Sequence, residues 1–212
     1  MSEYDFLLKM IVPSNFGCYK DSEETSPAMD KIFDQLPSNV NTYWGITQFI
    51  VERPESNYVA KFPFRGMYLD NDFIKFSKNY SDYSFDLYKK AIKLDIGDIF
   101  AATWLRGSTI DGTKIYLQEK VDVYAFSDFR YKYTKEQKER LRTQQCIGHW
   151  GTFKEDWLIA AVDTYGENFM IKLFRFLREN KIFDFHPSNY GWRRDGSPVL
   201  LDWADFQEGY DD

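Results

Sequence analysis

Ile182-Phe-Asp-Phe-His-Pro-Ser-Asn-Tyr-Gly191, followed by Val199-Leu-Leu-Asp-Trp203, is the stretch from which the fold is read. It sets an Asp, then an Asn five residues on, then a second Asp at the end of an apolar run. Phosphoryl transfer from a magnesium nucleotide asks a protein for little beyond positioning and charge neutralisation. Two oxygen donors for a hard cation and one carboxylate facing the acceptor hydroxyl suffice. On this reading Asp184 is the base, and Asn189 and Asp202 are the metal ligands. Pro198 to Asp202 reads as a strand that buries everything except its terminal carboxylate, a pattern suited to a metal ligand.

Working back from that stretch, Asn168 to Asn180 has helical apolar spacing, with Lys and Arg toward its C-terminal end where they suit the helix dipole. It delivers the chain to Asp184. The segment from Lys135 to Lys181 is expected to be mostly helical, with a stop at Gly148 to Gly151. Within it, Tyr131 to Arg142 mixes acids and bases at helical spacing, which reads as a solvated helix face. After Asn189, a hairpin is expected: Asn189 to Trp192, a turn at Arg193-Arg-Asp-Gly196, and Pro198 to Asp202.

Earlier in the chain, Thr42 to Glu52 and Asn57 to Phe64 are rich in β-branched and aromatic residues and flank the turn Arg53-Pro-Glu-Ser56. They predict a β-hairpin with Lys61 on its second strand. Phe73, Phe76, Tyr80, Tyr83, Leu87 and Ala91 recur at helical intervals. Short strands follow near Ala101 to Leu105 and Lys114 to Val121, with Asp111-Gly112 as the turn between them. Residues before Asn41 read as an extension packed on the domain, with a short helix around Met29 to Leu36. The β-rich first half and helical second half predict an α+β fold with two lobes and a cleft. The expected division is 1–41 extension, 42–122 N-lobe and 123–212 helical C-lobe.

Composition narrows the partners. A net charge of −6 with no extended basic stripe argues against nucleic acid. Two Cys (Cys18 and Cys146) and two His supply neither a disulfide framework nor a zinc spacing. There is no charged leader followed by an apolar core, and no apolar run nears the roughly twenty residues of a membrane span. A cytosolic protein with no membrane partner is the expectation.

The order of these pieces resembles the protein-kinase-like fold: the Gly45 turn, Val59-Ala-Lys61, a helix, paired strands, a long helix, Asp184-x-x-x-x-Asn189, and a hairpin ending at Asp202. Asp-Phe-His-Pro-Ser-Asn-Tyr-Gly looks most like the catalytic loop of aminoglycoside-phosphotransferase-type kinases and of small kinase-like proteins encoded by bacteriophages. The resemblance covers roughly residues 42 to 206, and chain order makes it specific. It implies ATP and Mg²⁺ as cofactors. It implies Lys61 on the α- and β-phosphates, with Gly45, Ile46 and Thr47 as the phosphate-covering turn. An acid from the following helix, Asp82 or Asp86, would brace Lys61.

The chain departs from the family in several places. The turn offers one Gly where protein kinases show three, and Asp stands where the brace is usually Glu. Ile182-Phe183 precedes Asp184 in place of His-Arg or His-Gly. Trp203 and Ala204 stand where protein kinases have Phe and Gly, as in the Asp-Trp variants of the phosphotransferase branch, and Asp205 reads as a surface acid. His186 is expected to shape its loop. Ser14 to Lys20 only superficially suggests a phosphate loop, being too far before Lys61 for adjacent strands.

Ten residues follow Asp202, so no peptide-docking platform of the protein-kinase kind is expected within this chain. Two functions of different class follow. One is an ATP- and Mg-dependent phosphotransferase acting on a hydroxyl of a small molecule or a protein. The other is a pseudokinase-like binding protein, a viral effector that grips a host protein.

Overall fold

The computed structural model describes residues 3–13, 16, 27–45, 47–64, 71–122, 136, 153, 155–182 and 189–202, with 71–79 and 155 described by backbone alone. Two compact units emerge. The first holds Met1–Asp86 and Ala102–Lys120; the second holds Leu87–Ala101 and Val121–Asp212.

The first unit is built on a five-stranded antiparallel sheet in the order β1-β2-β3-β5-β4. Its strands are β1 (Asn41–Trp44), β2 (Gln48–Glu52), β3 (Tyr58–Pro63), β4 (Thr103–Ser108) and β5 (Lys114–Glu119). The two-residue period of the strands sorts their side chains onto two faces. Phe49, Val51, Ala60, Phe62, Ile115 and Leu117 lie on one of them and are buried. That face is covered by the start of the chain. Tyr4, Leu7, Met10, Val12 and Phe16 pack there with Met29 and Ile32 of a short helix, α1 (Pro27–Phe33). Phe16 meets Phe49 edge-on at 5.0 Å and Phe64 at 5.2 Å.

Polar ties fix this cover in place. The Tyr4 hydroxyl donates to the Tyr58 carbonyl (2.7 Å) and accepts from the Arg53 N–H (3.0 Å). Arg106 pairs with Asp5. Asp111, in the β4–β5 turn, accepts from the Val12 N–H at 3.0 Å and from the Thr109 and Thr113 hydroxyls. The turn itself uses Gly112 at φ +87, a backbone conformation glycine adopts without steric cost.

Thr42 to Glu52, expected as the first arm of a hairpin with a turn at Gly45, forms two strands. The chain reverses at Gly45–Thr47, and β1 pairs back on β2 with Asn41 opposite Glu52 and Trp44 opposite Phe49. The helix expected after Lys61 is α2 (Asn71–Lys93). Of its expected apolar stripe Tyr80, Leu87 and Ala91 are buried, whereas Tyr83 is exposed.

In the second unit, α3 (Glu155–Tyr165) and α4 (Glu167–Glu179) are separated by Gly166 at φ +86. Met170, Leu173, Phe176 and Leu177 form the buried stripe of α4, the spacing of an amphipathic helix. A two-stranded hairpin follows, β6 (Tyr190–Trp192) and β7 (Pro198–Leu200), with Tyr190 opposite Leu200. Under it lies an aromatic stack: Phe153 on Trp157 at 4.8 Å, and Trp157 against Tyr190 at 5.2 Å. The Trp157 indole N–H donates to the Gly191 carbonyl at 3.1 Å. The architecture is α+β, a sheet-rich unit and a helix-rich one.

Candidate functional site

Lys61 stands on β3, the middle strand of the sheet, on the face opposite the N-terminal cover. Register places Ile50 beside it on β2 and Tyr116 beside it on β5. Directly opposed residues of an antiparallel pair share a face, so Lys61 and Tyr116 look out the same way. Lys61 is only 9% exposed. Burying an ammonium costs free energy unless it is paired or hydrogen-bonded.

The acids on this face come from α2. Asp82 Oδ1 accepts from the Tyr116 hydroxyl and Asp82 Oδ2 from Lys114 Nζ, the latter at 2.5 Å. One turn further along the helix, Asp86 acts on Tyr116 through its charge. Burial, then the Asp82 carboxylate, then the Asp86 charge push the Tyr116 phenol well above its ordinary pKa. It is therefore a hydrogen-bond donor at any physiological pH. A buried bond from Gln48 Nε2 to Ser81 Oγ (3.1 Å) ties the same turn of α2 to β2. Both helix acids expected near Lys61 thus lie on the α2 surface that faces Tyr116. Asp82 is engaged by Tyr116 and Lys114.

Gly45 and Thr47 belong to the β1–β2 turn. The Gly45 N–H donates to the Gln48 carbonyl (3.0 Å), and the Phe64 N–H to the Thr47 carbonyl (2.8 Å), which binds the turn to the end of β3. A Cβ added at Gly45 would meet nothing within 4 Å, so the backbone there is open to approach. Ile46 lies outside the described residues.

The second unit brings Asn189 and Asp202 together. The Asn189 carbonyl accepts from the Leu201 N–H at 2.8 Å and from the Asp202 N–H at 3.4 Å, joining the residue before β6 to the end of the chain leaving β7. Asn189 is 7% exposed and Asp202 is half-buried, while Val199 and Leu200 are fully covered. The hairpin turn beyond them is stiffened by Asp195, whose carboxylate accepts from the Ser197 N–H (2.9 Å) and hydroxyl (2.7 Å). Arg193 donates to the Asp98 and Phe100 carbonyls, and Tyr165 to the Pro198 carbonyl at 2.8 Å.

The chain approaches Asp184 through a defined helix end. Lys181 takes a left-handed conformation (φ 52), its N–H donates to the Arg178 carbonyl, and the Ile182 N–H reaches back to Leu177 at 2.8 Å. This is the paired bonding that closes many helices. Asp184 itself and His186 lie outside the described residues. So do Trp203, Ala204, Asp205, Cys18, Cys146, Ser14, most of Tyr131 to Arg142, and the stop at Gly148 to Gly151.

An amide oxygen and a carboxylate are hard donors of the kind Mg²⁺ takes, and that ion commonly completes its shell with phosphate oxygens and water. Among the described residues no group of three or more His, Cys, Asp and Glu gathers as a metal site. Among the described residues, too, no helix is long and apolar enough to cross a membrane.

Sequence reasoning missed Tyr116 and Gln48 as groups that tie α2 to the sheet. The one sign of Tyr116 is a phenol within the otherwise apolar run Ile115 to Leu117; its partner, 34 residues away, leaves no local trace.

No protein-family model matches the chain, and no curated protein matches it. Among solved structures, the apo form of a pseudokinase aligns with 92% of this chain at 9% identity and a TM-score of 0.35. The alignment spans 65% of that chain's length, just under two thirds.

Proposed function

We propose that this chain binds a magnesium nucleotide in the manner of a protein-kinase-like phosphotransferase. The observation that carries the reading is the junction at Asn189 and Asp202, where one carbonyl takes both the Leu201 and Asp202 N–H groups. Two oxygen-donor residues thirteen positions apart in the chain are held at one place by an aromatic-backed hairpin. The buried Lys61 and the acids of α2 supply the second half of the reading.

In this function Lys61 holds the α- and β-phosphates, and Asp86 braces Lys61. The Gly45–Thr47 turn covers the phosphates with its backbone. Asn189 and Asp202 hold Mg²⁺, which when bound neutralises charge on the phosphate oxygens. Asp184 accepts the proton of the acceptor hydroxyl as the acceptor oxygen bonds to the γ-phosphorus. The bond from that phosphorus to the β,γ-bridging oxygen breaks, and ADP leaves. The acceptor is a hydroxyl of a small molecule or of a host protein, the latter if the chain is a viral effector acting in the host cytoplasm.

The test is melting with and without nucleotide. ATP with Mg²⁺ at about a hundred times its Kd stabilises by about 2.7 kcal/mol, which for a chain of this size raises Tm by about 5–10 °C. Asp202→Ala and Asn189→Ala should each remove the Mg-dependent part of that rise. Absence of any rise at millimolar Mg·ATP sinks the reading. Radiolabelled ATP with host lysate then separates transfer from binding. A labelled acceptor that disappears in Asp184→Asn marks an enzyme, whereas nucleotide binding without label marks a pseudokinase-like binding protein.

A further inference from the structure

We infer that Tyr116 is a positioning residue whose hydroxyl latches α2 to the sheet at Asp82 and thereby sets where Asp86, one turn on, stands relative to Lys61. The inference rests on the reading of Lys61 as the phosphate-binding cation.

Three contacts converge on a single stretch of the helix. Tyr116 donates to one oxygen of Asp82 and Lys114, two residues earlier on β5, donates to the other. The Tyr116 ring packs on Phe85 at 5.3 Å, and Ser81 accepts from Gln48. Asp82 and Asp86 are four residues apart and so share one face of α2. Tyr116 lies directly across the ladder from Lys61 and senses the charge of both acids. The bond that seats Asp82 therefore also aims Asp86.

The two donors to Asp82 are not equal. The Lys114–Asp82 pair is exposed, with 47% and 37% of the side chains in water, and pairs of that kind contribute little. Tyr116 is 3% exposed, so water competes poorly for its hydroxyl, and its raised pKa keeps the proton in place. A Phe would fill the same space against Phe85. What the hydroxyl adds is register. A slip of one residue turns a helix by about 100° and would swing Asp86 off the face that Tyr116 and Lys61 share.

The experiment compares full-length wild type, Tyr116→Phe and Lys114→Gln by two measurements: amide hydrogen exchange, and Mg·ATP affinity by calorimetry. In Tyr116→Phe, exchange across Tyr80 to Lys93 should quicken by about tenfold while β2 and β3 keep their protection, and Kd should weaken by about three- to tenfold. Lys114→Gln should stay within about twofold of wild type in both. Unchanged α2 exchange in Tyr116→Phe overturns the latch, and so does an equal loss of protection across the whole sheet. Faster α2 exchange with unchanged Kd overturns the link to Lys61 while the nucleotide reading stands. If wild type binds no nucleotide, the phosphotransferase reading fails by itself, and the exchange data still decide the latch.

Discussion

Leu7 is fully buried although it sits in a 3-10 turn of only five residues, Asp5–Lys9, near the start of the chain. Its side chain closes the sheet face formed by Phe49, Val51, Ala60 and Phe62. Leu7→Ala should therefore cost about 2–5 kcal/mol, read from the urea midpoint at constant slope; a cost below about 1 kcal/mol would mean the N-terminal segment is not part of the core. Little of this was legible in sequence. Tyr4, Leu7, Met10, Val12 and Phe16 follow no single period, because the segment is a 3-10 turn that runs on into extended chain. That Asn189 and Asp202 come to lie side by side was easier to read, because they flank the two short apolar strands of one hairpin. Asp82 and Asp86 could not be told apart from sequence, since the residue that distinguishes them, Tyr116, sits on another strand.

At the scale of elements, the two best-defined helix ends share one device. α2 closes on Asp95 (φ 56) with the Ile96 N–H on Ala91, and α4 closes on Lys181 (φ 52) with the Ile182 N–H on Leu177. In both, a buried Ile follows the left-handed residue. A side chain in that conformation is strained by about 1 kcal/mol or more, part of which glycine returns as backbone entropy. Lys181→Gly should accordingly stabilise by about 0.5 kcal/mol, with Tm rising by about 1–2 °C. A fall in Tm would mean that the Lys side chain contributes more than its backbone costs. The hairpins were read correctly where a turn pair marked them, Asp111-Gly112 and Asp195-Gly196. The β1–β2 reversal carries no such pair at Gly45-Ile46-Thr47; its turn was read from the kinase-like order alone, while the flanking aromatic run by itself reads as one strand. Tyr83 shows the limit of periodicity. Its spacing fits the stripe of α2, yet it is exposed.

For the whole molecule, ionisation marks out a stability window. Burial opposes ionisation of Glu52, but hydrogen bonds from Lys120 and Tyr43 outweigh it and hold the carboxyl below its ordinary range. Burial is likewise outweighed at Asp111 by Thr109, the Val12 N–H and Thr113, while Ser197 lowers Asp195. Depressed carboxyls contribute stability that is present above their unfolded pKa, near 4, and is lost as pH falls through the folded values. Tyr116 and Tyr165, both raised chiefly by burial, work in the opposite sense. Their contribution is full below about pH 10 and is lost as the unfolded phenols ionise. Tm should be flat from roughly pH 5 to 9 and fall on both sides. A Tm maximum near pH 4 would contradict the carboxyl assignments.

The chain visits the second unit twice, first at Leu87–Ala101 and again from Val121. Phe100 bridges to Leu200, and the Ala101 N–H donates to the Leu200 carbonyl at 2.8 Å. On a ribosome adding about 5–20 residues per second, the sheet unit is complete once Lys120 emerges, whereas Leu200 follows about 4–16 s later. Through that interval Ile99 and Phe100, both buried in the finished protein, have no hairpin to lie against. The order of synthesis therefore leaves the surface around Ile99 and Phe100 without its hairpin cover for those seconds.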